Sequence, residues 1–123
     1  MANILLVEDN ESLRLAYSSF LGQEGHQVFP ASNVDDALAY LADNTPDIIL
    51  LDMLLPKKNG LNLLREYDVV SAHPEVKVIA FSNYTENQIQ AEASRLGASL
   101  YITKSMTTPK ELVETINQFL AKQ

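Results

Sequence analysis

Five side chains of chemically capable types stand just after short apolar runs: Glu8 and Asp9, Asp52, Ser82 and Lys104. The runs are Ile4 to Val7, Ile48 to Leu51, Val78 to Phe81 and Tyr101 to Thr103. If those runs are strands of one parallel sheet, three carboxylates, a hydroxyl and an ammonium meet beyond its carboxyl edge, where such sheets bind ligands. Three acids crowded at strand ends repel one another, and a divalent cation relieves that repulsion. Oxygen donors with places left for water suit Mg²⁺. Such a site suits phosphoryl transfer, with positive charge on the phosphoryl oxygens and Asp52, at the end of the central strand, as the nucleophile.

The elements needed to hold these residues are legible. A further short run, Val28-Phe29, brings the count to five. Three runs are continuously apolar, which fits strands covered on both faces, whereas Val28-Phe29 and Tyr101 to Thr103 are shorter and read as edges. Helical periodicity fills the gaps. Leu13, Tyr17, Phe20 and Leu21 share a face, as do Val34, Leu38 and Leu41. Further stripes are Leu61, Leu64, Tyr67 and Val70, then Ile89, Ala93 and Leu96, then Leu112, Ile116, Phe119 and Leu120. Start signals predict the second helix from Ser32 with Asp35, the fourth from the Thr85–Gln88 capping box and the fifth from Thr108-Pro109-Lys110-Glu111. Gly97 is placed to end the fourth. Strict β-α alternation implies a parallel sheet with right-handed crossovers and helices on both faces, one domain over residues 1–123.

Composition removes other classes. Without cysteine there is no disulfide frame, thiolate metal site or cysteine nucleophile. A net charge of −7 argues against nucleic-acid binding by this domain. No apolar run approaches the roughly 20 residues that span a bilayer, and the acidic start is no signal peptide, so a cytoplasmic, membrane-free chain is expected. His26 and His73 read as surface loop residues, and the acidic stretch from Asp35 to Asp47 as plain solvated surface.

The segments ILLVEDN, PDIILLDMLLPKKNG, VIAFSN and GASLYITKS occur in this order, with 43, 30 and 22 residues separating Asp9, Asp52, Ser82 and Lys104. Together they resemble the response-regulator receiver domain, the phospho-acceptor module of two-component signalling. The resemblance covers the whole chain. It implies a flavodoxin-like, doubly wound five-stranded parallel sheet of order 2-1-3-4-5 with five helices. It implies that Asp52 accepts phosphate from a histidine kinase or phosphotransfer protein, and that the domain catalyses only its own phosphorylation and dephosphorylation. Mg²⁺ is then held by Asp9, Asp52 and the Leu54 carbonyl, with Glu8 acting through water. Ser82 and Lys104 hold the phosphoryl group, Tyr101 is the switching aromatic, and Pro56 and Gly60 shape the loop after Asp52. Output is to an output domain or downstream protein, through the surface of the fourth helix, fifth strand and fifth helix (Gln88, Glu92, Tyr101, Lys110, Glu114). The same face is open to homodimer formation.

The chain departs from the family pattern at two places. Ser105 follows the lysine where proline in a cis bond is usual; before serine a cis bond costs ~2.5–4 kcal/mol, so a trans or strained bond is expected. Asn83 replaces a small residue after Ser82. These two features favour the alternative of a pseudo-receiver, an interaction module indifferent to phosphate. Leu54 and Tyr84, bulky and not acidic, occupy the positions that tune phosphate loss, which implies slow loss. A nucleotide-binding enzyme is disfavoured because VEDNES, not a glycine-rich loop, follows the first run, and an aspartyl phosphatase because Leu54 stands where a second acid belongs.

Overall fold

The computed structural model describes residues 2–53, 59–82 and 87–122. The order is β1 (Asn3–Val7), α1 (Glu11–Gln23), β2 (Gln27–Ala31), α2 (Val34–Asp43), β3 (Ile48–Asp52), α3 (Gly60–Tyr67), β4 (Lys77–Ser82), α4 (Asn87–Arg95), β5 (Ala98–Thr103) and α5 (Pro109–Ala121), with a 3₁₀ turn over Lys104–Met106. All pairings are parallel, in the order β2-β1-β3-β4-β5, as expected. Both edge strands are longer than their apolar runs: β2 takes in Gln27, Pro30 and Ala31, and β5 begins at Ala98.

Period-two alternation divides the core. Ile4 and Leu6 of β1, Ile48 and Leu50 of β3, and Ile79 and Phe81 of β4 face one way. They pack on Tyr17 and Leu21 of α1 and on Leu112, Val113 and Ile116 of α5. Leu5, Val7, Ile49, Leu51, Val78 and Ala80 face the other way, against α2, α3 and Ala93 of α4. Buried on both faces, β3 reads as an unbroken apolar run until Asp52.

Helix ends refine the sequence expectations. Asn33, not Ser32, caps α2: its side chain accepts from the Asp36 amide at 2.7 Å, while Ser32 only reaches the Asp36 carboxylate at 3.4 Å. Both residue types cap well, so composition could not separate adjacent candidates. Thr108 and Glu111 form the expected reciprocal box at the start of α5. The box proposed at Thr85 to Gln88 falls largely outside the described residues. α3 stops at Asp68, which takes φ 54, so Val70 leaves the helical stripe and is 58% exposed. Gly97 follows α4 with φ 114 and packs against Val69, a position that only glycine takes without strain.

His26 is buried rather than superficial. Its Nδ1 accepts from the Ala2 amide (3.1 Å) and its Nε2 lies 2.8 Å from Asn117 Oδ1, so it ties the residues just before β1 and β2 to α5. His73 is half-buried and stacks flat on Tyr67, centroids 4.0 Å apart.

Gly60 starts α3 directly beside the end of β3. Its amide donates to the Met53 carbonyl at 3.1 Å, and a Cβ there would lie 3.0 Å from Met53 Cα and 3.1 Å from the Asp52 carbonyl. Those are backbone atoms that cannot step aside without moving Asp52. Gly60→Ala should therefore lower stability by about 1–3 kcal/mol, read as the denaturant midpoint at unchanged m-value. An unchanged midpoint would show that the β3–α3 junction gives freely.

Candidate functional site

The same alternation that builds the core aims the site. Glu8 continues the Ile4-Leu6 row, Asp52 the Ile48-Leu50 row and Lys104 the Leu100-Ile102 row, so all three side chains leave the sheet on the α1/α5 face. Asp9 and Ser82 fall on the opposite phase and flank the row at the strand ends. Sheet register sets the depth, with Asp52 opposite Phe81 and Ser82 opposite Thr103.

Lys104 Nζ sits between two acids, 2.9 Å from Asp52 Oδ2 and 2.6 Å from Glu8 Oε1. The contact to Asp52 is a hydrogen bond; that to Glu8 is an ion pair whose angles fall outside an aligned hydrogen bond. Glu8 and Ser82 are fully buried and Asp52 is 3% exposed, whereas Asp9 is exposed. Burial pushes the Glu8 carboxyl above its ordinary range, against the pull of Lys104 and of the Asn10 amide. Burial alone would lower Lys104, but the carboxylates of Glu8 and Asp52 outweigh it and hold the ammonium above its usual value. Lys104 therefore stays charged. Its ammonium also lies 5.5 Å from the centre of the Phe81 ring, which Tyr17 meets edge-on at 5.3 Å.

Oxygens of Glu8, Asp9 and Asp52 lie within 4.8 Å of one another. Three carboxylates around one ammonium leave two negative charges to be balanced. This all-oxygen donor set, exposed on the Asp9 side, is compatible with a hard divalent cation such as Mg²⁺. Asp9, Asp52 and Lys104 line an open cleft with Asn10, Leu13, Tyr17 and Pro109, so the acids are reachable between α1 and α5.

The site thus gathers the sequence-predicted Glu8, Asp9, Asp52 and Lys104, with buried Ser82 at the end of neighbouring β4. Gly60 is buried at the β3–α3 junction. Tyr101, on β5, is half-buried and packs against the core cluster that includes Ala93 of α4. Leu54, Pro56, Asn83 and Tyr84 lie outside the described residues, and the described peptide bonds, Lys104-Ser105 included, are trans. Two supporting residues were missed. Asn10 caps α1, accepting from the Leu13 amide at 3.0 Å, while its own amide donates to Glu8 Oε2 at 3.0 Å. Arg14 Nη1 donates to the carbonyls of Glu8 (2.9 Å) and Asp9 (3.3 Å), pinning the chain between β1 and α1. An Asn just before an apolar helical stripe is a readable cap signal; the Arg14 contacts have no sequence signature.

The response regulator receiver domain model matches residues 4–117. The chain is 31% identical over 121 residues to protein PilH of Pseudomonas aeruginosa, covering 98% of this chain and 99% of that one. Its fold superposes on a CheY-like response regulator receiver domain protein from Methanospirillum hungatei with a TM-score of 0.89 at 26% identity, over 99% of this chain and 95% of that one. It also superposes on the response regulator TrrA of Thermotoga maritima, solved in complex with Mg²⁺-BeF, with a TM-score of 0.80 at 25% identity, over 96% and 98% of the two chains. A buried aspartate at the end of the central strand, held by a lysine from the end of β5, is thus set in a chain that belongs to the response regulator receiver domain family, the phospho-acceptor modules of two-component signalling.

Proposed function

We propose that Asp52 is the phospho-acceptor of this receiver domain, taking its phosphoryl group from a phosphohistidine of a histidine kinase or phosphotransfer protein. The observation that carries this reading is the hydrogen bond between Lys104 Nζ and Asp52 Oδ2 at the floor of a cleft shared with Asp9. One Asp52 oxygen attacks phosphorus. The P–O bond forms as the P–N bond breaks, and the departing imidazole takes a proton from solvent. Lys104 pairs with the carboxylate beforehand and with phosphoryl oxygen afterwards. Ser82 then donates a hydrogen bond to the phosphoryl group. In dephosphorylation a water attacks phosphorus and gives its proton to solvent, and the Asp52 oxygen leaves as carboxylate, with inorganic phosphate released.

Asp9 and Asp52 would hold Mg²⁺ together with the Leu54 carbonyl, with Glu8 acting through water. When bound, the ion supplies positive charge to the phosphoryl oxygens. Phosphorylation would then reach an output domain or downstream protein through α4, β5 and α5, with Tyr101 as the switching aromatic. The domain would act in the cytoplasm; among the described residues no helix is long and apolar enough to cross a membrane.

Incubation with acetyl phosphate and Mg²⁺ should add the mass of one phosphoryl group, and chelator should suppress the addition. Mass unchanged under both conditions would favour a phosphate-indifferent pseudo-receiver instead. Metal binding has its own test. At about five times its dissociation constant, Mg²⁺ should stabilise the native chain by roughly 1 kcal/mol. Asp9→Asn, which relieves repulsion among the acids, should melt higher than wild type in chelator yet gain less from Mg²⁺. An equal Mg²⁺ response in both proteins would remove Asp9 from the metal site.

A further inference from the structure

We propose that the edge formed by β2 and α2 is a docking surface for a basic polypeptide segment that presents arginine among apolar residues. This is a second interaction site, independent of Asp52. Phe29 is 47% exposed on the edge strand, and its ring stacks on Tyr40 of α2 with centroids 4.2 Å apart and planes 22° from parallel. The pair lines an open cleft of about 620 Å³ together with Pro30, Asp36, Ala39 and Asn44. Tyr40 is anchored against the core, but the Phe29 ring stacked on it stays nearly half wet, so this face of the pair adds little to folding and is suited to cover a partner.

The charge around the pair selects the occupant. From Leu15 to Pro56 the sequence has no lysine or arginine, and of the acids in that stretch Asp36 lines the cleft itself. Three of these acids, Asp35, Asp36 and Asp43, are on α2 and exposed. Nucleic acid and anionic lipid are repelled by such a face. A second copy of this chain docking on the same edge brings acids against acids, which costs affinity. Pro30 offers no backbone N–H, which blunts the edge against strand addition. An arginine satisfies both halves of the surface: its guanidinium stacks on the ring face of Phe29 or Tyr40 while the neighbouring carboxylates take its charge.

The test uses the full chain, ¹⁵N-labelled, titrated with a synthetic peptide of alternating arginine and leucine, and with the same peptide carrying citrulline for arginine. The arginine peptide should shift amides of β2 and α2, centred on Phe29 and Tyr40, and citrulline should abolish the shifts. Phe29→Ala and, separately, Tyr40→Leu should weaken binding about tenfold, with melting curves confirming the fold of each. Asp52→Asn should leave binding unchanged, which separates this surface from the phospho-acceptor reading. Three results would each overturn the proposal: shifts spread evenly over all acidic surfaces, unchanged affinity in a folded Phe29 or Tyr40 variant, or self-association of the chain that Phe29→Ala abolishes.

Discussion

Lys104→Met should destabilise the protein by about 3 kcal/mol at neutral pH in the presence of chelator, lowering its melting temperature by roughly 10 °C. Methionine keeps the length and apolar stem but removes the ammonium that lies between Glu8 and Asp52. Two buried carboxylates are then left without their shared cation, and the lost charge is only 13% exposed, so water screens it poorly. The pH dependence has a definite sign. Without Lys104, burial, together with the nearby Asp52 charge, holds the Glu8 carboxyl above its unfolded value, so the variant's deficit should shrink as pH falls from 7 towards 5. In the wild type the Lys104 pKa is raised in the fold, so its contribution is fully present below its unfolded value and disappears as pH rises through the folded one, above about pH 10. A variant as stable as wild type across this range would mean that solvent, not Lys104, compensates the acids. Phosphorylation should also slow in the variant, because the same ammonium faces the attacking oxygen.

How far the sequence reached depends on which interactions are local. Both edges and the convergence of Glu8, Asp9, Asp52 and Lys104 were legible because they follow from short apolar runs that each end in polar residues; the strand order came with the family resemblance, not from the runs themselves. The stop of α3 was not: Val70 fits the helical stripe, but Asp68 in the left-handed region ends the helix before it. His26 looked like a loop residue because its partners, Ala2 and Asn117, are 24 and 91 residues away, and no local pattern encodes such contacts. Arg14 escaped for a related reason. It holds backbone carbonyls, and carbonyls leave no trace in residue type. The Phe29–Tyr40 stack was invisible as well, because it joins a strand to a helix, and a side-chain contact between elements of different period leaves no local pattern.

Asp52→Asn should abolish acyl-phosphate formation altogether. The amide keeps the size of the side chain and removes the anionic nucleophile. Glu8 cannot replace it: its carboxyl is fully buried, one oxygen is against Lys104 and the other accepts from the Asn10 amide. Asp9 is exposed at the cleft, and Lys104 pairs with Glu8 and Asp52 instead. Among the described residues no second carboxylate both contacts Lys104 and lines the cleft. Intact-mass measurement of wild type and Asp52→Asn after identical treatment with acetyl phosphate and Mg²⁺ decides the matter, with Asp43→Asn as an acid-removing control on a distant helix. One added phosphoryl group is expected on wild type and on Asp43→Asn, and none on Asp52→Asn; the same addition on Asp52→Asn would overturn the assignment of Asp52.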